Sequence, residues 1–295
     1  MEELLDPGLG DVRVFLMRDD NKPRKLKYNL DGVRRLLVFG GAYSNLVRAA
    51  ARAGSERGFE TIGIIRGEER LPLNWSLRYA ADHGMTLAYM DRATYRLKHT
   101  PQVLERLRER WGDVTMLPEG ASNAAAVRGC AELPADIPAP PEFSDPAWYD
   151  LVCCPVGTGG TLAGIAAGLP EGRRALGFAV LKGAAFLDAE VAALQRAAYG
   201  RTWDNWSINL DYHFGGYARS TPELDRFAAR HRVEGVYVAK MLYGVLDLAR
   251  RGAFAPGTRI VAVVTAPPAP AHPSVDVAEW GAPTGFDSGE PRWRR

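Results

Sequence analysis

The sequence predicts an open α/β fold with parallel strands, and three observations lead to it. Short apolar runs alternate with longer amphipathic stretches, the pattern of strands joined by crossover helices. Two of the apolar runs stop at glycine clusters, Gly40-Gly41 and Gly157 to Gly160, that lead straight into helical patterns. With 295 residues the chain is also long enough for one large domain or two moderate ones, each with its own core.

Taken in order, the expected strands are Val12 to Met17, Leu36 to Phe39, Thr61 to Ile65, Thr86 to Met90, Val114 to Leu117, Leu151 to Cys154, Ala175 to Val180 and Arg259 to Val264. Apolar residues at helical spacing predict helices over Asn45 to Arg57, Pro101 to Trp111, Asn123 to Leu133, Thr161 to Leu169, Leu187 to Ala198 and Tyr237 to Arg251. The proline-rich stretch from Pro134 to Pro146 reads as a linker or a surface loop. From Pro267 onward the chain is again rich in proline and poor in apolar residues, which predicts a poorly ordered tail over 267–295.

Composition narrows the partners. There are 37 basic and 35 acidic residues, so no electrostatic footprint favours nucleic acid or an anionic membrane, and a small molecule is the expected partner. No apolar run reaches membrane-spanning length and the acidic amino terminus lacks the regions of a signal peptide, so we expect a cytoplasmic protein. Cys130, Cys153 and Cys154 leave one thiol unpaired under any pairing, and the adjacent two sit in an apolar run, which fits reduced thiols in that compartment. The five histidines show no metal-ligand spacing, and no metal is expected.

Three segments carry chemistry. Apolar Leu151 to Cys154 runs through Pro155-Val156 into Gly157-Thr158-Gly159-Gly160-Thr161 and then a helix. Strand, glycine turn and helix start bring backbone N–H groups to a dipole end that favours an anion. No Lys-Ser or Lys-Thr ending marks a nucleotide loop, so a monophosphate fits better than a triphosphate. The same glycines would equally suit a tight turn that binds nothing.

Lys22, in the run Asn21-Lys22-Pro23-Arg24-Lys25-Leu26-Lys27, has cationic neighbours that would lower its pKa and suit it to Schiff-base chemistry. A basic run is also the ordinary make-up of a solvated face. In the third segment, Gly40-Gly41 precedes Ser44-Asn45 at the start of a helix. Either polar residue would serve as an N-cap, while the paired glycines allow backbone to approach a ligand at the carboxyl end of a strand.

Together, Arg18-Asp19-Asp20, Asn21 to Tyr28, Gly40 to Asn45 and Gly157 to Gly164 closely resemble the pyridoxal-phosphate enzymes of the D-cysteine desulfhydrase and 1-aminocyclopropane-1-carboxylate deaminase family. Thr61 to Glu69, Met90 to Tyr95, Leu117 to Asn123, Gly177 to Gly183, Asp211 to Arg219 and Ala239 to Gly244 fit as well, so the resemblance covers most of residues 12–265. It implies the tryptophan synthase β-like fold (fold type II): two α/β domains with pyridoxal 5′-phosphate in the cleft between them. The large cofactor-binding domain would span 1–27 and 119–266, and the small domain 28–118.

By the same resemblance, Lys22 is the lysine that carries the cofactor, with Asn21 beside it and Lys25 near the phosphate. Ser44, Tyr217 and Tyr237 face the substrate, Asn45 bonds the ring's 3′ oxygen, Gly157, Thr158, Gly159, Gly160 and Thr161 hold the phosphate, and Thr265 lies at the ring nitrogen. The substrate would be a small amino acid and the enzyme a homodimer, as family members commonly are. The family's deaminases carry Glu after the tyrosine matched by Tyr237 and Leu at the position of Thr265. Val238 and Thr265 here favour desulfhydrase-like elimination, giving pyruvate, ammonia and sulfide, over 1-aminocyclopropane-1-carboxylate deamination.

Two departures stand against the family pattern. Asp20 runs directly into Asn21 where relatives have a longer loop, and Thr265 is followed by Ala266-Pro267-Pro268 where relatives have glycines. These would fit a relative that keeps the fold without catalysis.

Overall fold

Residues 1–265 are described by the computed structural model, and they form two sheets with helices between and around them. The chain runs β1 (Glu2–Leu4), β2 (Arg13–Arg18), α1 (Asn21–Lys27), β3 (Arg35–Gly40), α2 (Asn45–Arg57), β4 (Glu60–Arg66), α3 (Trp75–Asp82), β5 (Thr86–Met90), α4 (Arg92–Arg96), α5 (Pro101–Trp111) and β6 (Thr115–Leu117). It continues through α6 (Ala124–Cys130), β7 (Leu151–Val156), α7 (Gly160–Gly168), β8 (Arg174–Ala179), α8 (Leu187–Tyr199), β9 (Trp206–Asn209), α9 (Pro222–His231), α10 (Val238–Arg250) and β10 (Arg259–Val264).

One sheet has the order β1-β2-β10-β7-β8-β9 and is parallel except for β1, which runs antiparallel at the edge. The other is parallel throughout, in the order β5-β4-β3-β6. Strands covered on both faces become nearly continuous apolar runs: every residue of β10 after Arg259 is buried, as are Leu36 to Gly40 of β3. Each of the eight expected strands is present.

β1 and β9 carry too few apolar residues to announce themselves. The short helix α1 lies where the sequence offered only a basic run: Asp20 accepts the Lys22 N–H at 3.1 Å and caps it. The chain passes from the small sheet back to the large one just after β6, at Pro118 to Asn123, rather than in the proline-rich stretch. Residues 134–146 are therefore a surface loop within the large half. It is pinned by Phe143 stacked on the buried Trp148 at 4.9 Å, with Phe15 edge-on to that ring at 4.6 Å. The expected tail lies outside the described residues.

Two features of this layout build the site. β10 inserts between β2 and β7, so the carboxyl ends of an early, a middle and a late segment lie side by side, with Asp19 N–H bonded to Val264 O at 3.0 Å. Helices α1, α6 and α7 also pack backbone to backbone. A Cβ on Gly129 of α6 would stand 2.0 Å from Arg24 O of α1, and one on Gly164 of α7 would stand 2.6 Å from Val127 O of α6. Only glycine permits this approach, which brings the start of α1 against the start of α7.

Candidate active site

A cavity of ≈ 270 Å³ opens where the carboxyl ends of β2, β3, β7 and β10 meet. Each strand end contributes a residue singled out above: Lys22 and Lys25 on α1 after β2, Ser44 and Asn45 after β3, Gly157 to Gly159 and Thr161 after β7, and Thr265 after β10. Tyr217 and Tyr237 complete the wall, and Asn21 lies beside Lys22. Gly160 is the first residue of α7, directly behind the wall. Only two residues, Asp19 and Asp20, connect β2 to α1, and they still deliver Lys22 to the cavity because Asp20 caps α1 at once.

Lys22 donates from Nζ to Asn21 Oδ1 at 2.7 Å, and Asn21 Nδ2 donates to Thr161 Oγ1 at 2.7 Å. This chain ties the amine to the first turn of α7. The Lys22 amine is held down at about 7, first by burial and next by the Lys25 ammonium, with Asp20 acting in the opposite direction. Arg24 and Lys27, expected to share this role, do not. Arg24 forks onto Asp19 at 2.6 Å and reaches Asp136 at 2.7 Å, and Lys27 turns out to Glu132 at 2.7 Å.

The turn before α7 is shaped as an anion cradle. Gly159, with φ +80°, occupies the N-cap position, and no side chain caps the helix, so its first-turn N–H groups remain available to a ligand. A Cβ on Gly160 would come within 2.8 Å of Ser122 Oγ and 3.3 Å of Lys25 Nζ. Thr158 Oγ1 and Ser122 Oγ are 2.6 Å apart, while Thr161 accepts from Asn21 and keeps its own O–H to donate.

Lys25 is buried beside this turn, donating to Gly120 O at 3.0 Å and Ser122 Oγ at 3.3 Å. Among the described residues it has no carboxylate partner, and burial lowers its pKa. A phosphate in the cradle would supply the missing counter-charge. Cradle, hydroxyls, an ammonium without a carboxylate partner and a lysine amine that readily loses its proton form a set that fits pyridoxal phosphate.

On the opposite wall, Ser44 caps α2, accepting from Val47 N–H at 3.3 Å, which leaves its own O–H free. Gly40 is required behind it, since a Cβ there would sit 2.5 Å from Ser44 Oγ. Asn45 Oδ1 accepts a close hydrogen bond from Arg48. The Tyr217 and Tyr237 rings meet edge to face at 5.8 Å, and burial, followed by Tyr217, pushes the Tyr237 phenol well above its ordinary range.

Two charged wall residues and one residue behind the phosphate turn escaped the sequence reading. Arg66, at the end of β4, places its guanidinium 5.9 Å from both the Tyr95 and Tyr217 rings. Glu119 accepts from the Tyr95 phenol at 3.2 Å and pairs with Lys98 at 3.0 Å. Ser122 is the third. All lie at or just past the carboxyl end of a strand, and the glycine in Pro118 to Ser122 is the same signature that marked the other loops. An outer groove of ≈ 1110 Å³, lined in part by Trp75 and Tyr79, opens onto the cavity past Tyr43 and Arg66. Cys130, Cys153 and Cys154 are free and buried, and burial raises their pKa values.

Comparison with known proteins places this architecture. No protein-family model matches the chain. A Pyrococcus furiosus protein named "Putative 1-aminocyclopropane-1-carboxylate deaminase" is 30% identical over 272 residues, covering 81% of this chain and 80% of that one. The 1-aminocyclopropane-1-carboxylate deaminase of Burkholderia ambifaria is 24% identical over 293 residues, covering 85% and 86%. The crystal structure of an ACC deaminase homologue superposes with a TM-score of 0.74 at 24% identity, over 90% of this chain and 87% of that one.

Fold and site thus define a pyridoxal-phosphate enzyme of the tryptophan synthase β-like fold (fold type II). It is a lyase or deaminase, and pyridoxal 5′-phosphate is its cofactor. Within that class, the chain belongs to the 1-aminocyclopropane-1-carboxylate deaminase and D-cysteine desulfhydrase family.

Proposed function

We propose that this enzyme is a D-cysteine desulfhydrase-like lyase, converting a small D-amino acid with a β-thiol and water to pyruvate, ammonia and sulfide. The observation that carries this reading is the surroundings of Tyr237. The next residue, Val238, is wholly buried in the apolar core of α10, so the side chain at that position is not a carboxylate, and Thr265 lies in the cavity wall.

When bound, pyridoxal phosphate supplies an electron sink for the bonds to the substrate's α-carbon. Gly157 to Thr161, Ser122 and Lys25 would hold its phosphate, Asn45 and Thr265 would lie toward its ring, and Lys22 would tether it until the substrate's own amino group takes that place and frees the lysine amine. The Lys22 amine, half-neutral at about pH 7 and increasingly so above it, is the base that takes the α-proton. Asn21 keeps that amine aimed by accepting one of its hydrogens. Tyr237, whose phenol stays protonated, donates toward the departing sulfur, and Tyr217 orients it. Ser44 Oγ–H is directed to the substrate by its place at the N-cap of α2.

In this reading the domain assignment is 1–27 with 119–266 for the large, cofactor-holding half and 28–118 for the small half. It includes a cytoplasmic homodimer acting on a small amino acid. Among the described residues, no helix is long and apolar enough to cross a membrane.

A second reading, opening of the 1-aminocyclopropane-1-carboxylate ring, is favoured by the names of the relatives above. The test is release of 2-oxo acid by cofactor-loaded protein offered D-cysteine, D-serine or 1-aminocyclopropane-1-carboxylate. Pyruvate with stoichiometric sulfide from D-cysteine is expected. Turnover of the cyclopropane substrate with none of D-cysteine would replace the first reading with the second.

A further inference from the structure

Lys240 lies outside the cavity, yet its ammonium is wholly buried and has no carboxylate partner among the described residues. It donates instead to two backbone carbonyls, His213 O at 2.9 Å and Gly216 O at 2.6 Å. The same two carbonyls accept the loop's own turn-closing bonds, from Gly216 N–H at 3.0 Å and Arg219 N–H at 3.1 Å. One ammonium therefore joins both turns of the loop that carries Tyr217 into the cavity.

That loop needs such a restraint. Phe214 and Ala218 have φ values of +50° and +54°, in the left-handed region that side chains other than glycine rarely occupy, and Gly215 and Gly216 stand at +90° and +117°. Conformations of this kind persist only where the surroundings over-determine them. The restraint comes from one face of α10, whose contacts recur at helical spacing. Tyr237, just before the helix, meets Tyr217. Lys240 binds the loop, a Cβ on Gly244 would press into Tyr212 at 2.8 Å, and Asp247 accepts the Tyr212 phenol at 2.6 Å.

We infer that Lys240 is a positioning residue: it clamps the His213 to Arg219 loop so that Tyr217 is held against Tyr237 at the substrate. The assignment rests on the proposed place of the two tyrosines. α10 thereby sets both phenols, one at its own N-cap and one through a buried ammonium. Methionine can replace the volume of the side chain and none of its bonds.

Exposed Arg219 offers a trypsin site inside the clamped loop, and the test combines its cleavage with turnover. In Lys240→Met, cleavage after Arg219, followed by mass spectrometry on the cofactor-loaded protein, should accelerate about tenfold, the effect of losing charge-assisted hydrogen bonds. Cuts elsewhere should keep their rates and the cofactor's visible absorbance should be retained. The kcat for elimination should fall about tenfold, and the double variant with Tyr217→Phe should be no slower than Tyr217→Phe alone.

Gly216→Ala, which a φ of +117° disfavours, displaces the same carbonyl without touching Lys240 and should reproduce the cleavage result if Lys240→Met folds poorly. Unchanged cleavage after Arg219 in both variants overturns the clamp. Faster cleavage with full turnover in Tyr217→Phe upholds the clamp and instead removes Tyr217 from the proposed chemistry.

Discussion

The protonation of Lys22 sets how the apoprotein captures its cofactor, and varying pH is the simplest perturbation of it. The Lys22 amine falls from the ordinary lysine value of 10.5 to about 7. At 1.36 kcal/mol per pH unit, this weakens the charged form relative to the neutral one by about 5 kcal/mol. The sign is that of a cation stripped of water: below about pH 7 the amine is charged and unreactive, above it neutral and nucleophilic. At pH 8 roughly nine-tenths of Lys22 is neutral, against about 0.003 of an ordinary lysine, an advantage of about 300-fold. Stopped-flow mixing of apoprotein with pyridoxal phosphate, followed by the visible band of the lysine-bound cofactor, should show a rate that climbs to about pH 7 to 8 and then levels off. Because burial outweighs Lys25 as the cause, Lys25→Met should raise the midpoint by less than half of the whole depression. A rate rising tenfold per pH unit from 7 to 9 without a plateau would refute the reasoning.

Three further predictions follow from the packing. Gly160→Ala puts a methyl 2.8 Å from Ser122 Oγ and 3.3 Å from Lys25 Nζ, side-chain ends that can give way. Stability should change by less than roughly 1 kcal/mol, while fluorescence titration with pyridoxal phosphate should show about tenfold weaker binding. Gly129→Ala places its methyl 2.0 Å from the backbone oxygen of Arg24, which cannot yield without moving α1. Urea unfolding should show a loss of about 3 kcal/mol, and an unchanged midpoint would contradict the close α1–α6 contact. Glu234 accepts the N–H groups of Val236, Tyr237 and Val238 at 2.7, 2.7 and 3.2 Å. Glu234→Ala should therefore cost about 1–2 kcal/mol in a thermal or urea melt and lower turnover by loosening Tyr237.

The strands and the chemistry-bearing loops were legible because their causes are local. A run such as Arg259 to Val264 is apolar enough to be a buried strand wherever it is placed. Gly40-Gly41 and Gly157 to Gly160 mark strand ends whatever they face. Elements whose stability comes from neighbours were not legible. α1 looked like a solvated basic patch because its helix depends on a two-residue connection capped by Asp20. β9 has only the edge of β8 to define it. Arg66 is the last residue of β4 and Glu119 follows β6, and neither residue type by itself marks a site.

The chain by itself determined which residue types lie at the strand ends: an Asn-Lys pair, a Ser-Asn pair and a glycine turn with hydroxyls. Burial is a property of packing, and only the tertiary structure decided which charges lose their water. Of the cations in the first basic run, Arg24 and Lys27 found carboxylates, Lys25 was buried without one, and Lys22 was left half-neutral near pH 7. Sequence neighbours do not set that difference. It comes from α6 and α7 closing over α1 at glycine contacts, which exclude water from one face of a seven-residue helix and leave the other solvated.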